Sequence, residues 1–355
     1  MSVLFDVLPK LRGRVAWTAL GVLPTRVEQA PQVLAELGDT PRSGELWLKR
    51  DDLSSPIYGG NKLRLLEHLL GEARERGVQQ VYSSGAVGSN FAIATALHAP
   101  RVGLEPGAIC FPEPLTPEGE LSHRLVVARA RVVQIPHWSL LPLAAERVRR
   151  HAERQGKRAQ VLSQVTLSPQ SLFGYLAAGL ELAQQVARQE CPAPSQIVLP
   201  IGSAATSAGI LAGLSLARKI GIWRAAPNLH AVRIAAWPLS RKARVLSLAE
   251  KALRSVAELC AEGSFALGQR ELLPVSLITD QLGAGYPHPT PAGMAARVKF
   301  ARAGYAILDD TYSAKAAAHA LASIDSTRGP TLLWCTKSSA PLPELGDALA
   351  APLSG

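Results

Sequence analysis

The stretch Gln196-Ile-Val-Leu-Pro-Ile201-Gly-Ser-Ala-Ala-Thr-Ser-Ala-Gly209 decides the architecture. Its first part is an almost unbroken apolar run, as expected of a strand covered on both faces, and such strands belong to parallel sheets flanked by helices. Pro200 is awkward inside a strand and marks its end. The small residues that follow lead into a helix, predicted over Ser207–Ile220. Outward from this point the pattern repeats. Short β-rich runs at Glu45–Lys49, Gln79–Ser83, Ala108–Phe111, Arg131–Ile135, Gln160–Ser163, His230–Ala235, Val275–Thr279 and Thr331–Cys335 alternate with amphipathic stretches. The latter include Lys62–Arg76, Ser171–Gln189, Arg241–Glu262 and Thr290–Ala303. Alternation at this spacing predicts an α/β fold with parallel-rich sheets covered by helices.

A chain of 355 residues is long enough for two modest cores. Low-complexity linkers and internal repeats are absent, so the boundary is placed where Ser, Pro and Gly gather, near Leu53–Gly60 and Gln164–Ser171. This gives a larger unit of residues 1–60 and 170–355, and a smaller inserted unit of 61–169, with a cleft at the crossing. The N-terminus has no secretory pattern, and no apolar run reaches the roughly 20 residues that span a bilayer. The four cysteines are far apart and form no metal-ligand pair, which fits reduced thiols in a cytoplasm. A net charge of +10 raises nucleic acid as a partner, but the basic residues are scattered and aromatics make up 5%. Solvated helix faces account for the charge better than a stacking platform for bases does.

Three loops carry candidate chemistry. In Lys49-Arg-Asp-Asp-Leu-Ser-Ser-Pro-Ile-Tyr-Gly-Gly-Asn-Lys62 the glycines permit a sharp turn, and Asn61 is expected to cap the following helix. Lys62 then stands in the first helical turn, where a cation opposes the helix dipole and the neutral amine is favoured. Taken alone, it is also what a surface lysine looks like. In Tyr82-Ser-Ser-Gly-Ala-Val-Gly-Ser-Asn90, Ser89 and Asn90 offer a hydroxyl and an amide at a helix start, or else simply an N-cap. In Gly202–Gly209, free N–H groups and the hydroxyls of Ser203, Thr206 and Ser207 can ring a phosphate. The loop is neither a Walker A sequence nor a dinucleotide fingerprint.

In order and spacing these loops resemble the fold-type-II pyridoxal 5′-phosphate (PLP) enzymes, and among them the D-cysteine desulfhydrase and 1-aminocyclopropane-1-carboxylate (ACC) deaminase family. Further matching segments are Phe173–Glu181, Gly285-Tyr-Pro-His-Pro-Thr-Pro291 and Ile307-Leu-Asp-Asp-Thr-Tyr-Ser-Ala-Lys315. The resemblance runs from about Leu46 to Ser339. It implies a tryptophan synthase β-like architecture, PLP as cofactor, a small amino acid as substrate, no metal, and a homodimer. It makes Lys62 the Schiff-base lysine and proton shuttle. It aims Asn90 at the phenolic oxygen and Ser89 at the substrate carboxylate or a proton. The phosphate goes to Gly202, Ser203, Ala204, Ala205 and Thr206, and Thr336 stands beside the ring nitrogen. Tyr286 falls beside the reacting carbon, although a packing tyrosine would read the same. A neutral Thr336 hydroxyl would leave that nitrogen unprotonated and moderate the electron sink.

The implied reaction joins the cofactor to the substrate amine, removes a proton and eliminates to a 2-oxo acid and ammonia. D-cysteine is the family's representative substrate. The chain departs from the family where substrate should be read. It has Ser89-Asn-Phe-Ala-Ile93 where the family follows Ser-Asn with His or Gln and then Arg. It has Gly119-Glu-Leu-Ser-His-Arg124 for G-N-x-x-x-D-R, and Thr336-Lys-Ser338 for Thr-Gly-Gly. Ala204-Ala205 stand where glycine is common, tolerable only if their φ angles are negative. The lost neighbours of Ser89 weigh against ACC. β-Replacement, racemisation, and a PLP-binding protein with little or no turnover stand as alternatives.

Overall fold

The computed structural model describes residues 2–38, 44–235, 239–286, 288–305, 308–327 and 329–342. Pro287 and Ile307 of the matching segments lie outside them. Ten strands are present among the described residues, β1 (Val27–Gln29), β2 (Leu46–Lys49), β3 (Gln80–Ala86), β4 (Glu105–Phe111), β5 (Arg131–Gln134), β6 (Ala159–Leu162), β7 (Gln196–Ile201), β8 (Asn228–Arg233), β9 (Val275–Ile278) and β10 (Thr331–Trp334). They form a six-stranded sheet in the order β1-β2-β10-β7-β8-β9 and a four-stranded sheet in the order β5-β4-β3-β6. Every pairing is parallel except β1 on β2. The expected α/β architecture is therefore present. The antiparallel edge strand β1, only three residues long, was too short to register as a pattern.

β7 is buried at every position, as its apolar run requires. Its pairing with β10 ends at Val198, whereas its register with β8 continues through Pro200 to Ile201. One side of the strand thus has no ladder partner at Pro200, the setting in which a residue without an N–H is tolerated. The helices Phe173–Ala187 and Ala205–Lys219 pack backbone to backbone behind this strand. A Cβ on Gly213 would come within 2.1 Å of the Leu176 carbonyl oxygen. That contact fixes the height at which the second helix presents its N-terminus. The carboxyl ends of β2, β7 and β10, with that of β3 from the smaller sheet, each run into one of the loops identified in the sequence. Open parallel sheets place ligands at this end.

Candidate functional site

Lys62 is the second residue of the helix Asn61–Glu75. The loop before it is fixed by the segment following β10. The Asn61 N–H donates to the Thr336 carbonyl at 2.9 Å, Ser339 N–H to the Asp52 carbonyl at 3.1 Å, and Gly59 N–H to Ser338 Oγ at 2.9 Å. Gly60 has φ +94°, and a Cβ there would sit 2.7 Å from the Thr336 carbonyl oxygen, so glycine is required. The expected cap is corrected. Gly60, not Asn61, is the N-cap, and no side chain closes the helix start. The Asn61 amide instead donates to Thr206 Oγ1 at 2.8 Å, tying the lysine loop to the proposed phosphate loop. Lys62 itself is half-buried and makes no hydrogen bond or ion pair with a described residue. Burial pulls its amine down to about 8.

Ser89 caps the helix Asn90–His98, its Oγ accepting from Phe91 N–H at 3.2 Å. Asn90 occupies the first helical position. The buried Tyr58 hydroxyl donates to Asn90 Oδ1 at 3.0 Å, which leaves the Asn90 Nδ2 hydrogens for another acceptor. Burial raises the Tyr58 phenol to about 12, so it stays a donor. Tyr286 accepts from the half-buried Tyr312 hydroxyl at 3.2 Å, with the rings 5.8 Å apart and inclined at 69°. The loop beneath it is held by Lys315, whose Nζ donates to the Leu282 and Gly285 carbonyls at 3.2 and 3.4 Å. Asn90, Tyr286, Tyr312, Asp309 and Lys337 line one cleft with about 420 Å³ of open space. Lys62, Ser89, Thr336 and Gly202–Thr206 are not in that lining.

The loop after β7 is suited to an anion. Ala205, Thr206 and Ser207 open a helix of 15 residues whose N-cap, Ala204, offers no side chain. The first N–H groups of a helix have no intrahelical acceptor, and they carry the positive end of its dipole. Ser207 Oγ is buried and has no hydrogen-bond partner, a polar atom left for something not of the chain. Gly202 and Ser203 form the bend before the helix. Ser240 Oγ donates to the Gly202 carbonyl at 2.7 Å, and Arg244 Nε to the Ser203 carbonyl at 3.2 Å. Ala204 has φ +70°, the positive value that its methyl group resists, whereas Ala205 is helical. These residues fit PLP. Lys62 would hold its aldehyde carbon and the Gly202–Ser207 turn its phosphate. Asn90 would face its phenolic oxygen, and the buried Thr336 its ring nitrogen.

Sequence reasoning missed a cluster beside the site. Lys49, Asp51, Arg64 and Glu181 are all buried and mutually paired. Lys49 Nζ reaches Glu181 Oε1 at 2.5 Å, and Arg64 reaches Asp51 Oδ1 at 2.7 Å and Glu181 Oε1 at 2.9 Å. Thr25 and Gln185 complete the hydrogen bonding. Burial opposes the Glu181 charge, but Arg64 and Lys49 outweigh it and hold the carboxyl at about 2. Burial lowers the Lys49 ammonium despite Glu181. The signal was present, since the quoted matching segments contain Lys49, Asp51 and Glu181. Only the fold brings residues so far apart in sequence together. Four buried free cysteines are present. No group of His, Cys, Asp or Glu among the described residues could hold a metal, and no described helix is long and apolar enough to cross a membrane.

Comparison with known proteins bears on the fold and the cofactor. The model of the family described as "Pyridoxal-phosphate dependent enzyme" matches residues 18–333. Nocardicin C-9′ epimerase from Nocardia uniformis subsp. tsuyamanensis is 32% identical over 299 residues, covering 82% of this chain and 86% of its own. D-cysteine desulfhydrase from Salmonella choleraesuis (strain SC-B67) is 30% identical over 325 residues, covering 87% and 90%. A crystal structure of an ACC deaminase homologue superimposes with a TM-score of 0.75 over 98% of both chains, at 24% identity, and supports the fold.

Proposed function

The chain belongs to the family of pyridoxal-phosphate-dependent enzymes, and we propose that within it the protein is a lyase or deaminase acting on a small amino acid. The observation that carries this reading is Lys62, a half-buried amine drawn down to about 8 and without a described partner, next in sequence to Asn61, whose amide bonds Thr206 at the start of the helix Ala205–Lys219. A lysine neutral near physiological pH can serve both as a nucleophile and as a base. When bound, the cofactor supplies a sink for the electron pair left on the substrate carbon. Lys62 would hold the cofactor, and its amine, when free, would take the proton from the substrate α-carbon. Ser89, fixed by its bond to Phe91 N–H, presents a hydroxyl beside Asn90 as the second group able to move a proton. Tyr286, oriented by Tyr312, offers its hydroxyl to the leaving group on the β-carbon. Loss of the β-substituent as the leaving group, followed by hydrolysis of the resulting unsaturated amine by one water, would give a 2-oxo acid and ammonia.

The D-cysteine desulfhydrase relative supports D-cysteine as the substrate to try first, with sulfide and pyruvate as products. Two separate sheets support the division into residues 61–169 and residues 1–60 with 170–355. The same reading takes the enzyme to be a cytoplasmic homodimer, in keeping with its buried free thiols. The test is the visible absorption spectrum before and after borohydride, followed by assay of amino acids of both hands for 2-oxo acid and ammonia. A band that borohydride abolishes, together with ammonia release from one amino acid, is the expected outcome. A protein that stays colourless with added PLP would sink the proposal.

A second reading, racemisation or epimerisation, is favoured by the nocardicin C-9′ epimerase relative. Inverted substrate carrying solvent deuterium, without ammonia, would select it over elimination.

A further inference from the structure

Resting on the reading of the protein as an amino-acid enzyme, we propose that Lys337 binds the α-carboxylate of the substrate, with Glu118 as the counter-ion it gives up when the substrate arrives. An α-amino acid brings a carboxylate into any site that accepts its amine, and that charge needs a complement. In the cleft lined by Asn90 and Tyr286 the charged residues are Glu118, Asp309 and Lys337, so Lys337 is its one cation among the described residues. The helix that presents Asn90 brings none, since Phe91 and Ile93 are fully buried and apolar.

The backbone places Lys337 close to the reaction, because it bridges Gly60, two residues before Lys62. Its side chain is 9% exposed and ion-paired with Glu118, whose own side chain is 50% exposed. Burial works against the ammonium, but the carboxylates of Asp309 and Glu118 keep it charged. Asp309 does not compete for it as a free anion. Its two oxygens accept from Tyr312 N–H at 2.8 Å and Ser313 N–H at 2.9 Å. Glu118 is therefore the partner that can leave. It stands at the start of the helix Pro117–Arg129, whose Thr116 cap holds without it, and it can turn into water. A substrate carboxylate replaces it like for like, whereas the buried Lys337 has no such exit.

The test uses cofactor-loaded full-length protein and the shift of its visible band on titration with D- and L-alanine and with D- and L-alaninamide. Alanine carries the amine and the carboxylate and nothing else, and its amide lacks only the charge. Wild type should bind alanine of one hand about tenfold or more tighter than the matching amide. K337M should keep the resting band and lose that preference, K337R should largely restore it, and E118Q should tighten alanine binding. K337M with undiminished preference would overturn the anchor alone. E118Q weakening alanine as much as K337M would make the pair a latch and overturn it as well. A wild type that holds cofactor yet responds to neither hand of alanine, nor to serine or cysteine, would overturn the amino-acid reading, and the anchor with it.

Discussion

Two lysines, 13 residues apart in sequence, live in opposite surroundings. Lys49 is fully buried, bonded to Glu181, Gln185 and the Thr25 carbonyl, and locked into a balanced cluster with Arg64 and Asp51. Lys62 is half-buried and bonded to no described residue. Both amines are pulled down by burial, but only at Lys49 does a carboxylate push back. A charge that holds a fold together is matched on every side, because an unmatched buried charge is costly. An amine that does chemistry must be left without a competitor. The difference teaches that the partner list, rather than burial, separates the scaffolding lysine from the one proposed to react.

The largest effect that would break this comparison is at Lys62. K62A should abolish the borohydride-sensitive absorption band and lower turnover by about a thousandfold or more, with the unfolding midpoint unchanged or slightly raised. Unfolding by denaturant alongside the spectrum checks both halves. An intact band would mean that another amine holds the cofactor.

Next in size is E181Q, which strips the scaffolding pair. It should cost about 3–5 kcal/mol in denaturant unfolding, since Lys49 and Arg64 are left with one carboxylate between them. The sign with pH follows from the depressed carboxyl. Its contribution to stability is full above the unfolded value near 4.5 and is lost as pH falls through about 2. Stability measured from pH 6 down to pH 2 should fall more steeply in wild type than in E181Q. Parallel curves would remove Glu181 from the account.

A kinetic test sharpens the other side. The rate at which cofactor-free protein takes up PLP should follow the neutral fraction of Lys62. With the amine at about 8, the rate rises with pH, increases roughly tenfold between pH 7 and 9, and then levels off. A rise that continues past pH 10 would mean an ordinary, solvated lysine.

The smallest effect tests the anion turn. Ala204 carries a methyl group at φ +70°. A204G should therefore stabilise the protein by roughly 0.5–1 kcal/mol, the relief of a left-handed alanine less the added freedom of the unfolded chain. A loss of stability in thermal or denaturant unfolding would show that the methyl group packs better than it strains.

Much of this was legible in the sequence because its signals are local. Apolar runs flanked by turn residues located β2 to β10, and Gly60 and Ser89 announced a turn and a cap that the backbone then shows. Asn61 was misread because a cap is the local use of an asparagine, whereas here its amide crosses to Thr206, 145 residues away. The Ala204 angle is a condition that the sequence poses and the fold answers. Lys337 was visible as an unexplained charge. Its partner Glu118 was not, since it stands 219 positions away in the chain.

The sequence by itself determined the alternation of strand and helix, the family resemblance and the candidate amine. All of these follow from the order of neighbouring residues and from short-range conformational preference. Tertiary structure alone decided which charges find partners. The Lys49 cluster, the Asn61–Thr206 tie and the Lys337–Glu118 pair each join segments that only packing brings within a few ångströms, and electrostatic interaction depends on that distance and on exclusion of water, not on position along the chain.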